Sequence, residues 1–196
     1  VTDSVGSITG PLTTGGRTDD TDLTVRVSLA STNAVAGDTI QLYDGTTALG
    51  TAYTLLAGDI SNGYADVPTG TLTNGSTYTI NAKVIDSVGN ASAASTNFSA
   101  TVDTTAPGAP AITSVTDDVA IFTGGLTSGG STNDTDLTVR VSLTSTNAVA
   151  GDTIQLYDTA TVLGTAYTLL AADITNGYAD VSTGTLTDGT TYTINA

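Results

Sequence analysis

The sequence predicts an all-β protein made of tandem antiparallel β-sandwiches, and three observations carry that expectation. Apolar and polar residues alternate over short runs, as where Leu23, Val25, Val27 and Leu29 interleave with Thr24, Arg26 and Ser28. That period of two marks a half-buried strand. The runs are separated by turns rich in Gly, Asn and Asp, with no helical spacing between them. The whole pattern is also written twice: TDLTVRVSL begins at Thr21 and again at Thr135, and STNAVAGDTIQLYD at Ser31 and again at Ser145.

Sliding residues 1–82 onto 115–196, an offset of 114, leaves 65 of 82 positions identical. Solenoid and propeller repeats have periods of roughly 20 to 50 residues. A period this long fits a whole domain instead, such as the roughly 100-residue immunoglobulin-like sandwich. The expectation is therefore an extended array of immunoglobulin-like sandwiches of about seven strands each, divided as residues 1–105 and 106–196. Residues 102–118, VDTTAPGAPAITSVTDD, form the junction. Pro107 and Pro110 rule out a helix or a central strand across its middle.

Taken in order, residues 1–22 are glycine-rich, lack periodicity and read as a long connection. Residues 23–29 are the first clear strand, and a polar loop leads to a second at 39–43, with Ile40 and Leu42 inward. Asp44-Gly45 is a hairpin signal. Residues 48–56 and 63–68 supply two more strands around a turn at 59–62. In the run 77–86, Tyr78, Ile80, Ala82 and Val84 share one face, and Asn74 precedes Tyr78 by four residues, as Asp188 precedes Tyr192. This spacing resembles a tyrosine corner, with Ile80 standing where antibody domains keep a cysteine; the plainer alternative is an ordinary core tyrosine. Ser87 to Ala91 turn the chain, residues 95–102 form the last strand, and residues 111–115 begin the next cycle.

Composition removes several function classes. Cysteine, histidine, tryptophan, methionine and glutamate are absent, all 19 acidic residues are aspartate, and only Arg17, Arg26, Lys83 and Arg140 oppose them, for a net charge of −15. Nucleic acid and anionic membrane surfaces would repel such a chain. No run approaches the roughly 20 apolar residues of a membrane span, and no basic-then-apolar signal opens the chain. Without His, Cys or Glu, little remains to move protons, so no enzyme is expected. An aspartate pair alone is a poor case for a glycosidase, because no tryptophan is present to stack on a sugar. Lys83 reads as a strand residue with a snorkelling stem rather than one end of an isopeptide cross-link. Threonine richness reads as strand propensity rather than sugar attachment.

The motifs VTDSVGSITGPLTTGGRTDD, LYDGTTALGT, LTNGSTYTINAKVIDSVGNAS and TVDTTAPGAP together resemble the bacterial immunoglobulin-like repeats of giant, calcium-dependent biofilm and surface adhesins, the type I secreted, RTX-adhesin-like proteins of Gram-negative bacteria. The resemblance covers the whole chain. It implies an extracellular rod at the bacterial cell surface, holding terminal binding domains away from the cell, with calcium stiffening the junctions. The implied partners are neighbouring repeats. Departures exist: Tyr64 stands where many relatives carry tryptophan, Asn133 replaces Asp19 between the repeats, and Ser4 replaces Asp118.

In such a sandwich, successive loops lie at alternating poles. Asp3, Asp20, Asp22 and Asp103 would then approach one another at the exit of the first domain, and Asp117, Asp118, Asp134 and Asp136 at the exit of the second. Asp86 would lie at the opposite pole, facing the exit set of a preceding domain. Carboxylates gathered this way repel unless neutralised, and Ca²⁺ takes six to eight oxygens from such groups. The plainer alternative is that they are solvated turn aspartates. Asp20-Thr-Asp22 opens like an EF-hand loop, but the required glycine and glutamate are missing. GGRTDD and GGSTND do not recur at nine residues, so no calcium β-roll is expected.

Superposition of the repeats also predicts an incomplete first strand in repeat one and no last strand in repeat two. A window on a longer polypeptide is the expectation; strand donation by a neighbouring copy is the alternative. The functional expectation is a structural spacer of an extracellular adhesin that supports cell adhesion and biofilm formation. The alternative is a self-assembling fibre or surface-layer subunit contacting other copies. A carbohydrate-binding module would want an exposed aromatic row, which the sequence lacks.

Overall fold

In the computed structural model, which describes residues 1–6 and 9–196, the chain divides into two units, Val1–Thr105 and Ala106–Ala196. The fold is mostly β, with several antiparallel sheets. The first unit runs β1 (Thr2–Asp3), β2 (Gly10–Pro11), β3 (Gly16–Thr18), β4 (Thr24–Ser28), β5 (Thr39–Asp44), β6 (Thr47–Thr54), α1 (Ala57–Asn62), β7 (Tyr64–Pro68), β8 (Thr77–Ile85) and β9 (Phe98–Val102). One sheet has the order β2-β1-β4-β7 and the other β3-β9-β8-β5-β6. Pairing is antiparallel except where β3 runs parallel to β9.

Alternation decides which side chains face inward. Val25 on β4 and Ala65 and Val67 on β7 point from one sheet. Ile40 and Leu42 on β5, Ile80 and Ala82 on β8, and Ala100 and Val102 on β9 point from the other. All of them belong to a single buried cluster, which Leu23, Leu29, Leu55 and Leu72 complete from the connections. Each fully buried aliphatic side chain contributes about 1.5–3 kcal/mol over exposure. A two-layer arrangement follows, because a sheet with one apolar face must cover it with another element.

The second unit repeats the plan with β10 (Ala111–Asp117), β11 (Gly124–Gly125), β12 (Thr138–Ser142), β13 (Thr153–Asp158), β14 (Thr161–Thr168), α2 (Ala171–Asn176), β15 (Tyr178–Ser182) and β16 (Ile194–Asn195). Its sheets have the orders β11-β10-β12-β15 and β14-β13-β16. Val139, Val141, Ile154, Leu156, Ala179 and Val181 lie in its core. The segment before β10 is tied to the body of this unit, since Gly108 N–H donates to Thr146 O at 2.7 Å.

Two local expectations are corrected. The turn expected at 59–62 lies within α1, a single helical stretch. Asp59 closes its start by accepting Leu56 N–H at 2.8 Å and the Tyr53 hydroxyl at 3.1 Å. Gly63 ends it in a left-handed conformation, φ 76°, which favours glycine. The long connection expected over 1–22, of which Ser7 and Ile8 lie outside the described residues, contains β1, β2 and β3. These elements are only two or three residues long, too short to show alternation.

Two packing devices recur in both units. Gly50 (φ 63°) lies so close to the chain after β7 that a Cβ there would sit 2.5 Å from Thr69 O; Gly164 plays the same part beside Ser182 and Thr183. Only a residue without a Cβ allows that approach. On the outer face, Arg26 makes a forked pair with its cross-strand partner Asp66, both contacts at 2.8 Å, and lies 4.0 Å above the Tyr64 ring. Arg140, Asp180 and Tyr178 repeat this at 2.7 Å and 3.9 Å. The Arg26 hydrogen bonds hold the Asp66 carboxyl below its ordinary value, against a smaller opposing effect of burial.

Tyr78 lies on β8, and its hydroxyl accepts Thr73 N–H at 2.8 Å. Tyr192 does the same with Thr187 N–H at 2.8 Å. This is the corner geometry that the spacing implied. Asn74 serves elsewhere, accepting Thr104 N–H at 2.8 Å and donating to the Thr105 hydroxyl at 2.9 Å.

The packing separates two leucines sharply. Leu42 is 1% exposed and Leu56 is 61% exposed. Leu42→Ala should cost about 2–5 kcal/mol of unfolding free energy by deleting a core side chain. Leu56→Ala should stay within about 0.5 kcal/mol. Urea denaturation of the two variants checks this, and equal losses would contradict the assignment of the core.

Candidate functional site

At one end of the first unit the strand ladder brings Thr18 beside Val102 and places Thr77 opposite Thr101. The acidic residues of the amino-terminal stretch collect at this pole. Asp3, at the end of β1, is 4% exposed. Its Oδ2 accepts the Thr18 hydroxyl at 2.6 Å and its Oδ1 accepts Val5 N–H at 2.9 Å. Asp20 is 3% exposed. It accepts Ser4 N–H and the Ser4 hydroxyl on Oδ2, both at 2.9 Å, and Asp22 N–H on Oδ1 at 2.8 Å.

Asp22 carries the chain of contacts outward, accepting Gly70 N–H at 3.0 Å. Asp103 follows β9 at the same pole: its N–H donates to Thr18 O at 2.8 Å, and its carboxylate pairs with Arg17 and accepts Thr105 N–H at 3.2 Å. Asp3, Asp20, Asp22 and Asp103 are thus linked around the single segment Thr18 to Asp22. Asp86 lies elsewhere. It follows Ile85, which is opposite Thr39 at the other end of the sheet, and it accepts Val88 N–H at 3.0 Å and Asn90 N–H at 2.8 Å within its own turn.

The second unit rebuilds the pole. Asp117 Oδ2 accepts the Thr132 hydroxyl at 2.6 Å and its Oδ1 accepts Val119 N–H at 2.9 Å. Asp134 accepts Asp118 N–H at 3.2 Å and Asp136 N–H at 2.8 Å. Asp136 accepts the Ser182 hydroxyl at 2.5 Å. Asp117 and Asp134 are buried, while Asp118 and Asp136 lie on the exposed rim. The one-residue exchanges beside the pole are matched. Gly6 backs so closely onto Asp19 that a Cβ would sit 2.0 Å from its Oδ2. Where the second unit has Ala120 instead, the partner is Asn133, which donates to Ala120 O at 2.9 Å.

The electrostatics follow from these donors. Burial pushes the Asp20 carboxyl up, but the hydrogen bonds from Asp22 and Ser4 together outweigh it and hold the group below its ordinary value. The side-chain hydrogen bond of Asn90, joined by backbone N–H groups of Asn90, Val88 and Gly89, likewise lowers Asp86 against burial. Among the described residues, no group of three or more carboxylates stands close enough to form a ready cage for a metal ion.

Sequence reasoning found the carboxylates but missed Thr18, Thr132 and Ser4, which orient them. A signal existed in the alternation Thr18-x-Asp20-x-Asp22, repeated as Thr132-x-Asp134-x-Asp136. Each side-chain oxygen reaches the N–H two residues on: Thr18 Oγ1 accepts Asp20 N–H at 3.1 Å, and Asp20 Oδ1 accepts Asp22 N–H. Serine, threonine and aspartate do this because their side chains are short. Lys83 lies 5.3 Å from the Tyr43 ring centre, a cation resting over an aromatic face.

No helix among the described residues is long and apolar enough to cross a membrane. Compared with protein-family models, curated proteins and solved structures, the chain matches none.

The lowered Asp20 carboxyl sets a pH dependence. Its folded value lies below the unfolded one of about 3.9, so its contribution is complete above that pH and is lost as pH falls through the folded value. Asp20→Asn cannot accept from both sides as the carboxylate does, and should cost about 1–3 kcal/mol at neutral pH. It should also flatten the loss of stability on acidification below about pH 4. Chemical denaturation across pH measures both, and an unchanged acid limb would contradict the assignment.

Proposed function

We propose that the chain is a run of tandem immunoglobulin-like sandwich repeats serving as a non-catalytic spacer of an extracellular bacterial adhesin. The observation that carries this reading is the near-duplication itself. With 65 of 82 positions identical, both units use the same alternating residues for the same strands. A chain that repeats one scaffold while varying little is suited to setting a distance. The immunoglobulin-like assignment is supported by the order β2-β1-β4-β7 facing β3-β9-β8-β5-β6, by the parallel β3–β9 pair and by the tyrosine hydroxyl bonded to the backbone upstream.

Calcium at the junctions is part of the proposal. Asp3, Asp20, Asp22 and Asp103 in one unit, and Asp117, Asp118, Asp134 and Asp136 in the other, are its proposed ligands, with Asp86 contributing from the opposite pole. The hydrogen-bonded carboxylates are already oriented, and each ionised carboxylate offers about four lone-pair directions in all. Ca²⁺ accepts irregular sets of such oxygens, whereas a smaller ion demands stricter geometry. Neutralising the poles would also reduce repulsion within a chain of net charge −15. The like charge of the units favours an extended array over a folded-back one, within a screening length of roughly 8 Å at physiological salt.

Extracellular calcium modules bind with constants of about 10⁻⁴ to 10⁻³ M. At ten times the constant, each site should add about 1.4 kcal/mol to stability. Small-angle scattering of the 196-residue chain should give a longer, stiffer particle in calcium than in chelator. Identical profiles together with no calorimetric binding would overturn the calcium part of the reading. Units packed flank to flank would overturn the extended one.

A further inference from the structure

The chain leaves the first unit through Asp103, Thr104 and Thr105, which follow β9, and each of them is tied back to that unit. Asp103 N–H donates to Thr18 O at 2.8 Å, which continues the β3–β9 ladder beyond the Thr18–Val102 pair. The Asp103 carboxylate pairs with Arg17 and accepts Thr105 N–H at 3.2 Å. Thr104 N–H donates to Asn74 Oδ1 at 2.8 Å, and Asn74 Nδ2 donates to the Thr105 hydroxyl at 2.9 Å. One amide side chain therefore grips two successive residues, the first through its acceptor and the second through its donor.

Asn74 holds this position because its own turn is fixed from both sides. Thr73 N–H donates to the Tyr78 hydroxyl at 2.8 Å. Gly75 N–H donates to Val102 O at 2.8 Å, and Val102 N–H donates to Ser76 O at 2.9 Å, so the turn is bonded to the last residue of β9. The second unit takes hold of its own first residues shortly afterwards. Gly108 N–H donates to Thr146 O at 2.7 Å, and a Cβ on Gly108 would sit 3.1 Å from Ser145 O. Between Thr105 and Gly108 stand only Ala106 and Pro107, both exposed. A proline ring fixes its own φ, and the residue before a proline is pushed to extended conformations.

We propose that Asn74 is a positioning residue that straps down the exit of the first unit and confines the bendable part of the connection to Ala106 and Pro107. The strap uses protein donors and acceptors alone. It therefore limits bending without a metal ion, and it rests on neither the calcium reading nor the spacer reading. The task needs an acceptor for Thr104 N–H and a partner for the Thr105 hydroxyl on one short side chain, and an amide supplies both. Aspartate, which stands at the matching position as Asp188, keeps the acceptor and takes the hydroxyl as a donor once that hydroxyl rotates. Alanine supplies neither.

Backbone amide relaxation by NMR on the 196-residue chain, with chelator present to keep cations off Asp103, tests the strap. Thr104 and Thr105 should show order parameters near the rigid-backbone value of about 0.85, with the minimum at Ala106 and order regained at Gly108. Asn74→Ala should drop Thr104 below about 0.6 and speed its amide exchange at least about tenfold, while β8 and β9 stay as ordered as before. Asn74→Asp should keep the order at Thr104. Thr105→Val, which removes only an exposed hydroxyl, should loosen residue 105 and leave Thr104 N–H protected, so the test survives if Asn74→Ala disturbs its turn. Thr104 already mobile in the unaltered chain, no loosening at residue 105 in Thr105→Val, or Asn74→Asp as mobile as Asn74→Ala would overturn the proposal. So would a mobile stretch that runs on through Gly108.

Discussion

Each unit depends on closing two thin sheets over a single layer of aliphatic side chains. Ile40 and Leu42 from β5 meet Val25, Ala65 and Val67 from the opposite sheet, and these positions are at most 8% exposed. The layer contains no tryptophan, and its aromatic residues, Tyr53, Tyr78 and Phe98, stay at the margin. Small and medium side chains fill the space only if the backbones come close. Gly50 and Gly70, whose backbones touch, hold that spacing at one corner. The Tyr78 hydroxyl holds another by binding Thr73 N–H.

The ends of the layer are closed by polar groups, and this explains the preference for aspartate over glutamate. Asp3 and Asp20 are buried because their oxygens replace water for Ser4, Val5, Thr18 and Asp22. Asp44 reaches Thr79 N–H at 2.7 Å, and Asp59 reaches Leu56 N–H at 2.8 Å. An unsatisfied buried donor costs about 1–3 kcal/mol. A short carboxylate meets these donors with less side-chain freedom to lose than a longer one. Asp3, Asp20, Asp22 and Asp103 thereby bring negative charge to one pole of the first unit, linked around the segment Thr18 to Asp22, and this is the physical basis for proposing a cation there.

How much of this was legible depended on element length. The alternation around Val25 and Val27 and the shared TIQLYD run were long enough to reveal β4, β5 and β13. The spacing of Asn74 and Tyr78 pointed to a corner whose hydrogen bond is present, although Asn74 bonds to Thr104 and Thr105. α1 escaped notice because AGDISN is too short to display a helical period, and its start is fixed by Asp59 three residues inside. β3 escaped because GRT shows no alternation and gains its place only by pairing with distant β9. At the poles, residue type picked out acids that share the segment Thr18 to Asp22. It did not separate buried Asp3 and Asp20 from exposed Asp22, since that division is set by Thr18 and Ser4.

The proposed spacer role requires that the two units bear load separately, each held by its own core. Single-molecule stretching of the chain between its ends tests that claim most directly. With roughly 3.3–3.6 Å gained per residue, the account predicts two unfolding events, the first unit releasing about 350 Å of chain. Calcium should raise the force of both events or stiffen the trace before them. One event spanning the whole chain, or no resistance before full extension, would contradict the account.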